Sequence, residues 1–321
     1  MSASRELRVA LVGAGSMGRN HARVIAESRQ SELVAVVEPV EAAGAPTAQR
    51  FGARWLASVD ELTGVDAVVV AAPTEYHYDI ALQLMDRQLP LLIEKPVSPS
   101  LAQTEELLRL SGEAEVPLMC GFLERFNPAI TAAKRMIEDP VFIRCERHSP
   151  YVPRIRTGVA WDLLVHDVDL VTQFLQGQEP DSVSAQIGYF HPQSVAGAED
   201  VVEAGLHFVG GAVASASASR IGQRKVRTMV LQSLDRTIEV DLLRRGVTSY
   251  RHTVIEAHDA GGGFRQSTEM EVPEVTGVEP LAAQFDRFMS LVRGEADAAA
   301  ERRSILPAHR VIDSALAARP A

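Results

Sequence analysis

The stretch that most constrains the fold is "VALVGAGSMG", residues 9–18. An apolar run ends in a glycine turn, and a helical pattern follows to about residue 28. Gly13, Gly15 and Gly18 have G-x-G-x-x-G spacing, and Glu38 closes a second apolar run, residues 33–37, twenty positions after Gly18. Alone, such glycines carry little weight. Between a strand and a helix, with an acid at that distance, they form the arrangement that a dinucleotide site requires. The glycines permit a tight turn and close approach of the backbone to a pyrophosphate. The free N–H groups of a helix starting near Ser16 and Met17 face the same ligand. Glu38 would accept hydrogen bonds from the adenosine ribose and repel a 2′-phosphate, so NAD is expected in preference to NADP.

Further apolar runs follow at 67–72 ("AVVVAA") and 89–93 ("LPLLI"), separated by a helix over about 75–88. A helix over about 100–110 leads to "VPLMCG". Continuous aliphatic strands between amphipathic helices imply α/β architecture, a doubly wound parallel sheet of Rossmann type. Ligands of such sheets bind beyond the carboxyl ends of the strands. That edge carries Ala72, Pro73, Thr74 and His77 from "AAPTEYH", and Glu94, Lys95 and Pro96 from "LLIEKP". All but Pro96 are candidate cofactor contacts. Pro96 biases Lys95 towards extended backbone. A lysine on the rim of an apolar strand suits proton transfer; the plain alternative is a surface Glu94–Lys95 pair.

The chain has 321 residues, 46% hydrophobic and 23% charged, an ordinary globular balance that suggests two domains. The division expected is 1–121 for dinucleotide binding and 122–321 for substrate binding and oligomerisation. A net charge of −10 favours neither nucleic acid nor an anionic membrane as a partner. No apolar run reaches the roughly 18 residues of a membrane span, and the start has no secretory pattern. The two cysteines, Cys120 and Cys145, make neither a disulfide framework nor a metal site, so a cytoplasmic setting is expected. Beyond a helix over about 127–138, short strand candidates lie at 141–147, 183–190, 201–209, 212–220, 226–232 and 236–242. Several alternate in period two, which implies a C-terminal α+β domain with a mostly antiparallel open sheet. Helices near 280–292 and 305–318 end the chain, and "AGGGF" at 260–264 reads as a flexible turn. "AVASASAS" has small side chains on one face. Unless helices of the same chain cover it, such a face suits packing against a second copy, as a homodimer or homotetramer.

"WDLLVHDVDLVTQF", residues 161–174, places three aspartates and a histidine in an apolar run. At about 100° per residue, Asp162, His166, Asp169 and Gln173 fall on one narrow face. Leu163, Leu164, Val168, Leu170, Val171, Phe174 and Leu175 fill the opposite arc. A polar stripe on a core helix is either a polar network or the wall of a pocket. Asp167 falls inside the apolar arc and reads as a buried structural acceptor for backbone N–H groups or an arginine. No third ligand has convincing spacing, so no metal is expected.

The glycine turn, "EKP" at 94–96, "GFLERFNP" at 121–128 and "WDLLVHDVDL" at 161–170 together resemble the Gfo/Idh/MocA family of sugar and cyclitol dehydrogenases. The resemblance implies that Lys95, Asp162 and His166 form the catalytic group. They would serve NAD(P)-dependent oxidation of a secondary hydroxyl, or the reverse ketone reduction. "GFLERFNPAI" and "SPYVPRIRTGVAWDLLVHDVDL" are similar to the branch containing UDP-N-acetylglucosamine 3-dehydrogenases. That implies a nucleotide sugar oxidised at C3. Candidate substrate contacts are Lys95, Arg125, Asn127, Arg154, Arg156, Asp162 and His166. The two arginines of "YVPRIR" suit a diphosphate, unless they pair with acids of this acidic chain. Two alternatives stay open: an inositol or free-sugar dehydrogenase with the same three residues, and a non-catalytic NAD-binding sensor or regulatory protein.

Overall fold

A computed structural model describes residues 5–153, 155–256 and 264–318. The chain divides into two compact units. The first runs to Leu123 and regains Val278–Arg310; the second comprises Glu124–Gly277 and the segment from Val311. The expected boundary near 121 is close, but the assignment of all of 122–321 to the second domain is corrected by 278–310. The reason is helix α7 (Pro280–Val292), which packs on α1 (Ser16–Glu27). It buries Leu281, Phe285, Phe288 and Met289, while Arg23 and Gln30 bond to Glu279 and Asp286.

The sheet of the first unit has six strands: β1 (Leu7–Val12), β2 (Ser31–Val37), β3 (Arg54–Leu56), β4 (Ala67–Val70), β5 (Leu91–Ile93) and β6 (Leu118–Cys120). All pairings are parallel, in the order β3-β2-β1-β4-β5-β6. Strands β4, β5 and β6 are buried at every residue, as a sheet covered on both faces demands. The order reverses between β1 and β4, the switch point beside which such sheets bind ligands. Of the expected run 89–93 only 91–93 is strand, because Pro90 has no N–H to offer the ladder. After β4, Thr74–Tyr76 makes a short 3₁₀ turn before α3 (His77–Met85). Helices α2 (Glu41–Arg50), α4 (Leu101–Glu113) and α8 (Ala298–Arg303) also belong to this unit.

The second unit contains an eight-stranded sheet, ordered β14-β13-β12-β11-β7-β10-β9-β8. Its strands are β7 (Phe142–His148), β8 (Ser182–Gly188), β9 (Val201–His207), β10 (Val213–Ser219), β11 (Val226–Gln232), β12 (Thr237–Asp241), β13 (Gly246–Glu256) and β14 (Phe264–Glu271). Every pairing is antiparallel except β7 with β10. The last two strands were not expected: "TSYRH" and "RQSTEME" lack the apolar alternation that marks the others. Residues 260–263 of the glycine run lie outside the described residues. Ala214, Ala216 and Ala218 of β10 are buried, as are Ile143, Cys145 and Arg147 of β7. Helices α5 (Pro128–Met136) and α6 (Val165–Phe174) pack on this sheet. The alanine face of "AVASASAS" is therefore covered by the chain's own helices, and the serines Ser215, Ser217 and Ser219 alternate to the other face. The last helix is α9 (Leu306–Ala317). No helix of the described residues is long and apolar enough to cross a membrane.

Candidate active site

In the first unit the glycine turn joins β1 to α1. Gly13 has φ +95°, and a Cβ there would lie 2.6 Å from the Ala71 carbonyl oxygen. A Cβ on Gly18 would lie 2.0 Å from the Gly13 carbonyl oxygen. Both positions therefore reject any side chain. Gly15 is different: a Cβ there meets nothing within 4 Å, and Gly15 and Ser16 are exposed. No side chain caps α1, so its first N–H groups at Ser16 and Met17 are presented to a ligand, as a pyrophosphate requires. Glu38 turns its carboxylate to the same place. It accepts from the Ala14 N–H at 3.0 Å and from the Val40 N–H at 3.2 Å. These residues fit a dinucleotide.

At the end of β5, Lys95 is half-buried between buried neighbours, Glu94 and Pro96. The His21 Nε2–H donates to Glu94 Oε1 at 2.7 Å, and the Lys95 N–H approaches Glu94 Oε2 at 3.3 Å. Burial opposes the charge on Glu94, but the His21 bond and the Lys95 charge outweigh it and hold the carboxyl below its ordinary range. Of the expected cofactor contacts, Pro73 is exposed and Ala72 and Thr74 are half-buried. Glu94 and His77 are instead engaged inside the unit. The His77 ring bridges the carbonyl oxygens of Pro96, at 2.8 Å, and Ala72, at 2.9 Å.

In the second unit the segment 161–174 does not begin as an α-helix. Ala160–Leu164 is a π turn carrying Asp162, and α6 continues from Val165. Single π turns concentrate at functional sites. The polar stripe survives this change: Asp162, His166 and Gln173 are half-exposed, and every other residue from 161 to 175 is buried. Asp169 belongs to the stripe but is 1% exposed. It is gripped by Arg125, whose Nε and Nη2 donate at 2.8 and 2.6 Å. Arg125, expected at the substrate, is thus directed at a helix of its own unit.

Asn127 is likewise engaged. Its Oδ1 caps α5 by accepting from the Ala129 N–H, and its amide donates to Glu124 Oε2 and the Leu242 carbonyl. Arg156 is exposed, and Arg154 lies outside the described residues.

Asp167 has the structural partner its position implied. Arg147, 1% exposed, donates to both of its oxygens at 2.9 and 2.8 Å and to Glu124 Oε1 at 2.9 Å. Burial pushes the Asp167 carboxyl up while Arg147 pulls against it. Glu124 is buried too, yet Arg147 holds it below the usual carboxylate range. Arg147 was missed, although the alternation Ile143, Cys145, Arg147 puts it on the inward face of β7.

Glu199 was also missed. It bonds the start of the helix, taking the Val159 N–H on its carbonyl and the Ala160 N–H on Oε1 at 2.8 Å. A Cβ on Gly158 would lie 2.1 Å from that carboxylate. Asp162 and His166 thus sit on a helix fixed at its start and on two sides.

Residues 7–122 match an oxidoreductase family with an NAD-binding Rossmann fold, and residues 132–240 match the GFO/IDH/MocA C-terminal domain. The UDP-N-acetylglucosamine 3-dehydrogenase of Acidithiobacillus ferrooxidans is 30% identical over 312 residues, 95% of this chain and 96% of that protein. The inositol 2-dehydrogenase of Rhizobium meliloti is 25% identical, over 97% of this chain and 96% of that one. The solved structure of the UDP-N-acetylglucosamine 3-dehydrogenase GnnA from Acidithiobacillus ferrooxidans matches with a TM-score of 0.84 at 28% identity, covering 98% of this chain and 99% of that chain. With its NAD-binding Rossmann unit, its mostly antiparallel second sheet and this relative along nearly its whole length, the chain belongs to the Gfo/Idh/MocA family of oxidoreductases, dehydrogenases acting on CH–OH groups.

Proposed function

We propose that the protein is an NAD-dependent dehydrogenase of a nucleotide sugar, acting on UDP-N-acetylglucosamine at C3 or reducing the corresponding ketone. The relative of that activity, 30% identical across 95% of the chain, carries this reading. Bound NAD supplies the hydride acceptor. Gly13, Gly15, Ser16, Met17 and Gly18 hold its pyrophosphate, Glu38 its ribose, and Ala72, Pro73 and Thr74 line its path. His166 takes the hydroxyl proton as base. The Lys95 ammonium stabilises the developing alkoxide, and these two roles are interchangeable. Asp162, four residues before His166, orients the sugar or the imidazole. Arg154 and Arg156 meet the diphosphate, while Arg125 braces α6 and Asn127 caps α5. The serine face of β10, opposite α5 and α6, packs against a second copy in a homodimer or homotetramer. The inositol dehydrogenase reading keeps support from the Rhizobium meliloti relative.

Two measurements test this reading. The first follows NADH formation with UDP-N-acetylglucosamine, N-acetylglucosamine and myo-inositol. Turnover is expected with the nucleotide sugar, and removing UDP should lower kcat/KM by at least about 100-fold. Turnover of myo-inositol with none of the nucleotide sugar overturns it. Tight NAD binding without turnover of any of the three supports the sensor reading instead. The second is Glu38→Ala. The lost ribose bonds and the lost repulsion of a 2′-phosphate should cut the ratio of kcat/KM for NAD over NADP by about tenfold or more. An unchanged ratio removes Glu38 from the ribose.

A further inference from the structure

Three histidines far apart in sequence converge on the four residues 94–97. His21 on α1 donates to Glu94 at 2.7 Å. His77 at the start of α3 holds the Pro96 carbonyl at 2.8 Å and ties it to the Ala72 carbonyl at the end of β4. His309 on α9 accepts the Val97 N–H on Nε2 at 3.2 Å, and its own Nδ1–H donates to the Ile305 carbonyl at 3.0 Å. The Phe122 ring meets the His309 ring edge-on at 5.9 Å between centroids. All three imidazoles are 0–1% exposed. Of the residues they hold, Glu94, Pro96 and Val97 are buried, and Lys95 alone is half-exposed. Hydrophobic packing needs no such set of polar rings, and burying an imidazole is unfavourable unless its nitrogens are bonded. His21 shows this most sharply: its Nδ1 is buried with no hydrogen-bond partner among the described residues. The cost is tolerated at the one position where the ring holds a buried carboxylate beside Lys95.

We propose that His21, His77 and His309 form a buried cradle that positions Lys95, with His21 acting through Glu94. The inference rests on the reading of Lys95 as catalytic. The carboxylate accepts only, so Nε2 of His21 carries the proton and the ring has one orientation. Glu94, fixed in turn, presents its charge to Lys95, the half-exposed residue of the segment. Gly121 packs against the far side of Glu94, where a Cβ would lie 2.9 Å from its Cα. The three rings are positioning residues: they act through Glu94 and the backbone on either side of Lys95.

The test compares His21→Met with His21→Gln, whose amide Nε2 keeps an N–H near the position of the lost one. His21→Asn, too short to reach Glu94, replaces the first variant if that does not fold. Folding is confirmed by far-UV circular dichroism and NAD binding. With NAD and UDP-N-acetylglucosamine, His21→Met should lower kcat by about 10- to 100-fold with little change in KM. His21→Gln should restore it to within about threefold. In a Lys95→Ala background His21→Met should lower the residual rate no further, because a positioning residue has nothing left to position. A readout that needs no substrate is acylation of Lys95 by acetic anhydride at fixed neutral pH, followed by peptide mass spectrometry. Once Glu94 loses its donor, it no longer holds one position beside Lys95, and the rate of labelling should change several-fold. Wild-type kcat and wild-type labelling in folded His21→Met overturn the cradle. Normal turnover in Lys95→Ala overturns the catalytic reading instead, and the labelling result still decides the cradle.

Discussion

Lys95→Ala is expected to lower kcat by about 10²- to 10⁴-fold, the span of a lost proton donor or alkoxide stabiliser. NAD affinity should change little, because the glycine turn and Glu38 do not depend on this side chain. Lys95→Arg separates the two roles. A guanidinium keeps the positive charge but does not give up its proton at neutral pH. If Lys95 acts only by its charge, the arginine variant recovers part of the rate. If it carries the proton, the arginine variant is as slow as the alanine one, although the bulk of the guanidinium also contributes. The measurement is single-turnover NADH formation at saturating substrate, with the NAD dissociation constant from fluorescence quenching. Near-normal turnover in Lys95→Ala sinks the mechanism.

The features legible in the sequence are those with one local explanation. Gly13 and Gly18 were readable because their backbone contacts, 2.6 and 2.0 Å from where a Cβ would be, leave no other residue type. The stripe of Asp162, His166 and Gln173 was readable because the helix buries nearly all of its circumference, so period alone reveals the exception. It stayed readable across a π turn because the turn adds its extra residue only at the start. Asp167 was readable as an anomaly but not as a pair. Its partner Arg147 lies twenty residues earlier on a strand, where parity gives the face and nothing gives the opposing helix. Arg125 was assigned to the substrate, and Asp169 was visible only as a member of the polar stripe. Only the fold shows that they satisfy one another at 2.6 Å. The return of 278–310 to the first unit and the three histidines around Lys95 depend on contacts between segments up to 288 residues apart, such as Arg293 with Arg5. Local propensity says nothing about such contacts.

Arg147→Met is expected to destabilise the second unit by about 3–5 kcal/mol, the cost of leaving a buried charge without its partner. Two arginines and two carboxylates share this interior: Arg147 faces Asp167 and Glu124, and Arg227 approaches Glu124 at 3.5 Å. The charges balance. Removing Arg147 leaves Asp167, 1% exposed, with a net negative charge in the core. Removing Asp167 as well restores neutrality, with Arg227 still opposite Glu124. Arg147→Met with Asp167→Leu should therefore recover most of the loss, since a buried ion pair is often close in worth to well-packed apolar groups of similar volume. The second unit has its own reporter. The chain contains two tryptophans, Trp55 in the first unit and Trp161 in the π turn. A Trp55→Phe background makes Trp161 fluorescence follow unfolding of the helix that carries Asp162 and His166. Urea titration of the single and double variants in that background gives both free energies. A loss below about 1 kcal/mol in Arg147→Met would mean that the pair does not secure the helix. A double variant as unstable as the single one would mean that shape, not charge balance, is what Arg147 supplies. If the double variant regains stability, its kcat separates the pair's two possible contributions. A rate near wild type limits the pair to holding the fold, whereas a low rate in a stable protein makes Arg147 and Asp167 the means by which the helix is set at the angle that aims Asp162 and His166.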